Sequence, residues 1–108
     1  MPKYAIFFNL KGETVKGMMG KPGDREKVVS ELLDGVGGKL DSYYWMFGQY
    51  DGMVICDIPN SASAAAVSVA VGSTGAFSHL ETHELIPASA LKSVLKKAKG
   101  LSYTPPGG

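Results

Sequence analysis

The chain has 108 residues, eleven Lys plus Arg against ten Asp plus Glu, a formal net charge of +1 and one cysteine. That length fits one domain, able to bury about two-thirds of the surface its unfolded chain exposes, so a core forms without disulfide or metal staples. The near-zero net charge excludes a global field that would draw in nucleic acid or an anionic membrane, and a lone Cys56 excludes an intramolecular disulfide and fits a reducing cytoplasm.

In chain order, "KYAIFFNL" is apolar and aromatic and stops at Lys11-Gly12, which predicts a first strand over residues 3–9 with both faces at least partly covered. Only about six apolar positions precede Asn9 and no small-residue cleavage site follows, so the run reads as a strand and not as a signal peptide. Thr14 to Met19 suits a short helical turn before the break "GKPG". Asp24 is a good N-cap for the main helix, where Val28, Val29, Leu32, Leu33 and Val36 share one face, and Gly37-Gly38 supplies the stop.

"KLDSYYWMFG" reads as a strand because aromatic residues dominate it and no helical stripe is present. Strict alternation puts Leu40, Ser42, Tyr44 and Met46 on one face, with Asp41, Tyr43, Trp45 and Phe47 on the other. "GMVICDI" is a third strand, close enough for an antiparallel hairpin. Pro59-Asn60-Ser61 then opens a helix of small residues that ends near Gly72 to Gly75. The segment from Ile58 to Leu80 carries no formal charge, but a helix over 61–71 is only about 16 Å long against a hydrocarbon core of about 30 Å, so it does not cross a membrane.

Phe77, His79, Glu81, His83 and Leu85 alternate with Ser78, Leu80, Thr82, Glu84 and Ile86 in a fourth strand that Pro87 ends. Leu91, Val94, Leu95 and Ala98 make the apolar stripe of a terminal helix whose lysines face outward. Residues 1–100 therefore read as one α+β domain and 101–108 as an extended tail. The order strand, helix, strand, strand, helix, strand predicts a ferredoxin-like βαββαβ fold: a four-stranded antiparallel sheet, helices on one face, and an added C-terminal helix. The other face is left bare with aromatic and β-branched groups, an apolar patch larger than monomers usually expose. A homodimer, or a higher homo-oligomer, is the simplest cover.

These residues resemble the GYD domain family. The matching pieces are "MPKY" at 1–4, "GGKLDSYYWMFGQYD" at 37–51, the Ala/Val/Ser-rich helix ending at Gly75, Glu81-Thr82, and "YTPPG" at 103–107. The most specific part is Phe47-Gly48-x-Tyr50-Asp51 behind the tyrosine-tryptophan strand. "FSHL" at 77–80 and the histidines at 79 and 83 depart from the pattern. The resemblance implies a dimeric α/β-barrel assembly, a group that includes cofactor-free monooxygenases, isomerases, haem enzymes and proteins without a known reaction.

The candidate ligand-binding residues are Tyr43, Trp45, Tyr50, Asp51, His79 and Glu81. Gly48-Gln49-Tyr50-Asp51 reads first as a hairpin turn, with Gly48 at positive φ, Asp51 accepting backbone N–H bonds at the turn and Tyr50 packed over the strand end. The alternative makes Tyr50 a donor and Asp51 a general base in a cleft. His79, Glu81 and His83 share a strand face, but residues four apart in a strand lie about 13 Å apart, too far for one metal ion, so no metal is expected. Asp57 and Glu81 have two readings: polar groups with raised pKa suited to acid or base work, or solvated carboxylates near a strand end, paired with lysine.

Tyr43, Tyr44 and Trp45 fit either a stacking wall for a flat apolar ligand or core and interface packing. Gly17 is followed by Met18, so the glycines at 12, 17, 20 and 23 form no phosphate-binding loop, and no cofactor is expected. The leading expectation is a dimeric protein that binds a small apolar or aromatic molecule between sheet and helices. The alternatives are a cofactor-free monooxygenase- or isomerase-like enzyme, using Tyr43, Tyr50, Asp51 or His79 on a substrate proton, and a structural module without ligand.

Overall fold

A computed structural model describes residues 1–108. Strands β1 (Lys3–Leu10), β2 (Lys39–Trp45), β3 (Gly52–Asp57) and β4 (Phe77–Leu85) form one sheet in the order β2-β3-β1-β4, every neighbouring pair antiparallel. Helices α1 (Gly12–Gly20) and α2 (Arg25–Asp34) connect β1 to β2, and α3 (Ser61–Gly72) connects β3 to β4. This is the ferredoxin-like α+β arrangement, closed by a 3-10 turn at Ala88–Ala90 and helix α4 (Leu91–Lys99).

Local chemistry sets the helix ends. The Asp24 carboxylate accepts the Lys27 N–H at 3.1 Å to start α2, and the Asn60 side chain accepts the Ser63 N–H at 2.9 Å to start α3. Tyr4, Phe8, Leu33, Val54, Cys56, Ile58, Ala64 and Val67 form the buried core between sheet and helices, with Ile6, Leu10, Val29, Leu32 and Leu40 packed around it. The small residues of α3 allow a close approach to β4, where the Ser68 and Thr82 hydroxyls meet at 2.7 Å.

Two bulges overturn the strict alternation expected for β2 and β4. In β2, Leu40 faces Cys56 while Ser42 faces Ile55, so the extra residue Asp41 moves Leu40 onto the same side as Tyr43 and Trp45. In β4, Asn9 faces His79 while Leu10 faces Phe77, and the extra residue Ser78 turns Phe77 toward the helices, away from the face of His79 and Glu81. A bulge sets two residues against one, which reverses the faces on one side of it. The consequence is that Phe77 sits edge-on to Phe8, with ring centroids 5.6 Å apart, and joins the core.

The opposite sheet face carries Phe7, Tyr44, Met53, Ile55 and Leu85, with no helix over it; Tyr44 is 57% exposed. Helix α4 buries no residue. The chain's radius of gyration is 17.4 Å, well above the roughly 13 Å of a compact domain of this length, because its C-terminal part stands away from the body. No helix is long and apolar enough to cross a membrane.

Candidate functional site

Between the sheet and helices α1 to α3 lies a cavity of about 430 Å³, and 17 of its 21 lining residues are hydrophobic. That volume falls within the range of about 300–1,000 Å³ usual for small-molecule sites. Phe8 is the centre of its aromatic wall, with Tyr43 at 6.0 Å, Trp45 at 5.7 Å and Phe77 at 5.6 Å between ring centroids, all edge-to-face. Gly52, opposite Trp45 in the register, makes room for the Phe8 ring: a Cβ there would overlap the tip of that ring. Trp45 is half exposed and stands at the mouth, shared with an outer chamber formed by residues 22–26, Met18 and Tyr43.

The cavity wall holds few polar groups, and most are already bonded. The Thr14 hydroxyl donates to the Ala76 carbonyl at 2.8 Å, that of Ser68 to Ala64 at 3.2 Å, and that of Thr74 to Val71 at 2.8 Å. Arg25 is the only charged residue of the wall and the only arginine in the chain. Burial pushes the Tyr43 phenol pKa up, and the neighbouring Arg25 guanidinium acts in the opposite sense. Tyr43 is therefore protonated at neutral pH and available as a donor.

The remaining four candidates lie elsewhere. Tyr50, His79 and Glu81 form a polar cluster on the open face of the sheet. The Tyr50 ring crosses over Phe7, with centroids 5.1 Å apart, and its hydroxyl donates to both Glu81 oxygens at 3.1 and 3.0 Å. His79 Nε2 lies 2.7 Å from one Glu81 oxygen and His83 Nε2 3.0 Å from the other.

Hydrogen bonds from His83, His79 and Tyr50, in that order, lower the Glu81 pKa from 4.5 to about 2. This corrects the expectation of a raised value: donors converging on the anion outweigh the cost of burial. Its partners also differ from the lysine expected. Asp57 does follow the paired reading, 3.2 Å from Lys3 Nζ. No three His, Cys, Asp or Glu side chains come together in a geometry that holds a metal ion.

Asp51 belongs to the end of β1. Its carboxylate accepts the Leu10 N–H at 2.8 Å, its own N–H donates to the Phe8 carbonyl at 2.9 Å, and the Asn9 side chain donates to the Gln49 carbonyl at 2.9 Å. Gly48 has the positive φ expected of it, at 124°. Asp51 differs from expectation in its partner, which is the neighbouring strand and not the turn's own backbone. The 48–51 segment is thus a clamp that ties the β2–β3 connection to β1.

The six candidates therefore divide. Tyr43 and Trp45 line the cavity, Tyr50, His79 and Glu81 cluster behind the sheet, and Asp51 holds a strand end. Sequence reasoning missed Arg25, whose available signal was its singularity: one arginine among ten lysines, directly after a helix cap. It also missed Phe8 and Phe77 as wall residues, because only the β4 bulge and the sheet register bring them together.

Comparison with known proteins places these features. No curated protein matches the chain. Among solved structures, the crystal structure of At3g17210 from Arabidopsis thaliana is similar, with a TM-score of 0.47 and 10% identity, covering 82% of this chain and 96% of that one. The GYD domain family matches residues 4–95, a span that includes all four strands except Lys3 at the start of β1, the cavity and the Tyr50-Asp51 clamp. The chain belongs to the GYD domain family.

Proposed function

We propose that the protein is a homodimer that binds a small apolar or aromatic molecule in the cavity between sheet and helices. The observation that carries this is an apolar cavity of about 430 Å³ with an aromatic wall and a half-exposed tryptophan at its mouth. The wall offers no carboxylate, imidazole or thiol, so a bound molecule meets no general base of the usual kinds. Binding is favoured over turnover for that reason.

The test uses N-phenyl-1-naphthylamine, a neutral dye that brightens in apolar sites. Saturable binding with quenching of Trp45 is expected, and Val71→Phe, which fills the cavity, should weaken it at least tenfold; unsaturable binding indifferent to Val71→Phe overturns the reading. The second copy is the proposed cover for Phe7, Tyr44, Met53, Ile55 and Leu85. Sedimentation at micromolar concentration should report twice the chain mass, and Ile55→Glu should halve it. A wild-type monomer would refute the dimer.

A further inference from the structure

We propose that the molecule held in this cavity is a monoanion, an aromatic or alkyl carboxylate whose head meets Arg25 and Tyr43 at the mouth while its apolar body lies against Phe8, Trp45 and Phe77. The inference rests on the cavity being a binding site and adds the charge of the ligand.

Its basis is the bonding of the polar groups in the wall. The hydroxyls of Thr14, Ser68 and Thr74 all donate to backbone carbonyls. The ion pairs of the chain join Lys3 to Asp41 and Asp57, and the two histidines contact Glu81; Arg25 takes part in none of these. No protein group accepts from the Tyr43 hydroxyl either. The wall thus retains two side chains with unspent polar capacity. They are neighbours, both lining the inner cavity where it meets the outer chamber.

Their chemistry selects the partner. A guanidinium only donates, in a planar fork suited to a carboxylate, and a protonated phenol beside it adds a further donor. A neutral apolar guest would leave both facing nothing but water. Lysine would serve less well here, because the flat guanidinium also tolerates an aromatic neighbour such as Trp45.

Two carboxylates stand nearby, in the outer chamber only. That of Asp24 is committed to the Lys27 N–H as the cap of α2. That of Glu26 is exposed, where water and salt weaken its repulsion of an anion. Neither lines the inner cavity, so the charge that meets a bound head directly is that of Arg25.

The probes are 2-naphthoate and its neutral counterpart 2-naphthamide, titrated by calorimetry and by Trp45 fluorescence at pH 7. Naphthoate is expected to bind about tenfold more tightly, the value of one charge-assisted hydrogen-bonded pair. Arg25→Gln should erase that preference by lowering naphthoate affinity about tenfold more than naphthamide affinity, and Tyr43→Phe should lower the preference severalfold. Arg25→Lys should retain part of it, and added salt should shrink it. Circular dichroism confirms that each variant is folded. Equal affinity for acid and amide in the wild-type protein, or a preference that survives Arg25→Gln, overturns the anion assignment while the cavity reading stands. Failure of both probes and of the neutral dye overturns the two together.

Discussion

Asp51 offers the sharpest separation between a structural and a chemical role for the Tyr50-Asp51 pair. Its carboxylate accepts the Leu10 N–H at 2.8 Å across 41 residues of chain, and the same segment is held by the Asp51 N–H to Phe8 and by Asn9 to Gln49. Asp51→Ala removes an ionised acceptor and leaves the Leu10 N–H without its partner. A hydrogen bond to a charged group is worth about 1.5–3 kcal/mol, and partial access of water at this strand end favours the lower half of that range.

For a domain of this size that loss lowers the melting temperature by about 6–15 °C. Asp51→Asn keeps an acceptor oxygen and should lose less than half as much. Chemical denaturation gives the free energy, and hydrogen exchange gives the location, because the Leu10 amide should be among the most accelerated. Affinity for the neutral dye, measured well below the transition, should not change, since Asp51 does not line the cavity. An Asp51→Ala protein with wild-type stability and lost binding would refute the clamp and restore Asp51 as a site residue.

Two further outcomes follow from the other titrating groups. The Glu81 carboxyl should titrate at about 2 by carbon NMR, and His83→Ala, His79→Ala and Tyr50→Phe should each move it back toward 4.5. Because the folded value lies below the unfolded one, the unfolded chain binds the proton more readily; the stabilisation is complete above about pH 4.5 and is lost as pH falls to about 2, and Glu81→Gln should remove that part of the acid sensitivity. A Glu81 that titrates near 4.5 would contradict the cluster. Burial, with Asp57 adding to it, pushes the fully buried Cys56 thiol up to about 11, so about one in a thousand is ionised at pH 8. Iodoacetamide should therefore label it only as fast as the protein unfolds, and rapid labelling of native protein would show that the thiol is reached from solvent.

Much of this protein is written in local pattern. The aromatic strand after Gly37-Gly38, the caps at Asp24 and Asn60, the apolar stripe of α2 and the order of elements each depend on neighbours within a few residues, which is why they predict the sheet and its helix-covered face. Gly48 is likewise legible, because a positive φ selects glycine wherever the chain requires it. The site was legible only in its aromatic half, Tyr43 and Trp45. Two bulges reverse the faces of Leu40 and Phe77, and they arise from how strands align with partners tens of residues away, which alternation along one strand does not register. The fates of Tyr50, Asp51 and Glu81 were decided in the same way. A tyrosine, an aspartate and a glutamate close to an aromatic strand look alike as candidates, and only the β2-β3-β1-β4 packing sends Asp51 to a strand end, Tyr50 and Glu81 to the open face, and Arg25 to the mouth of the cavity.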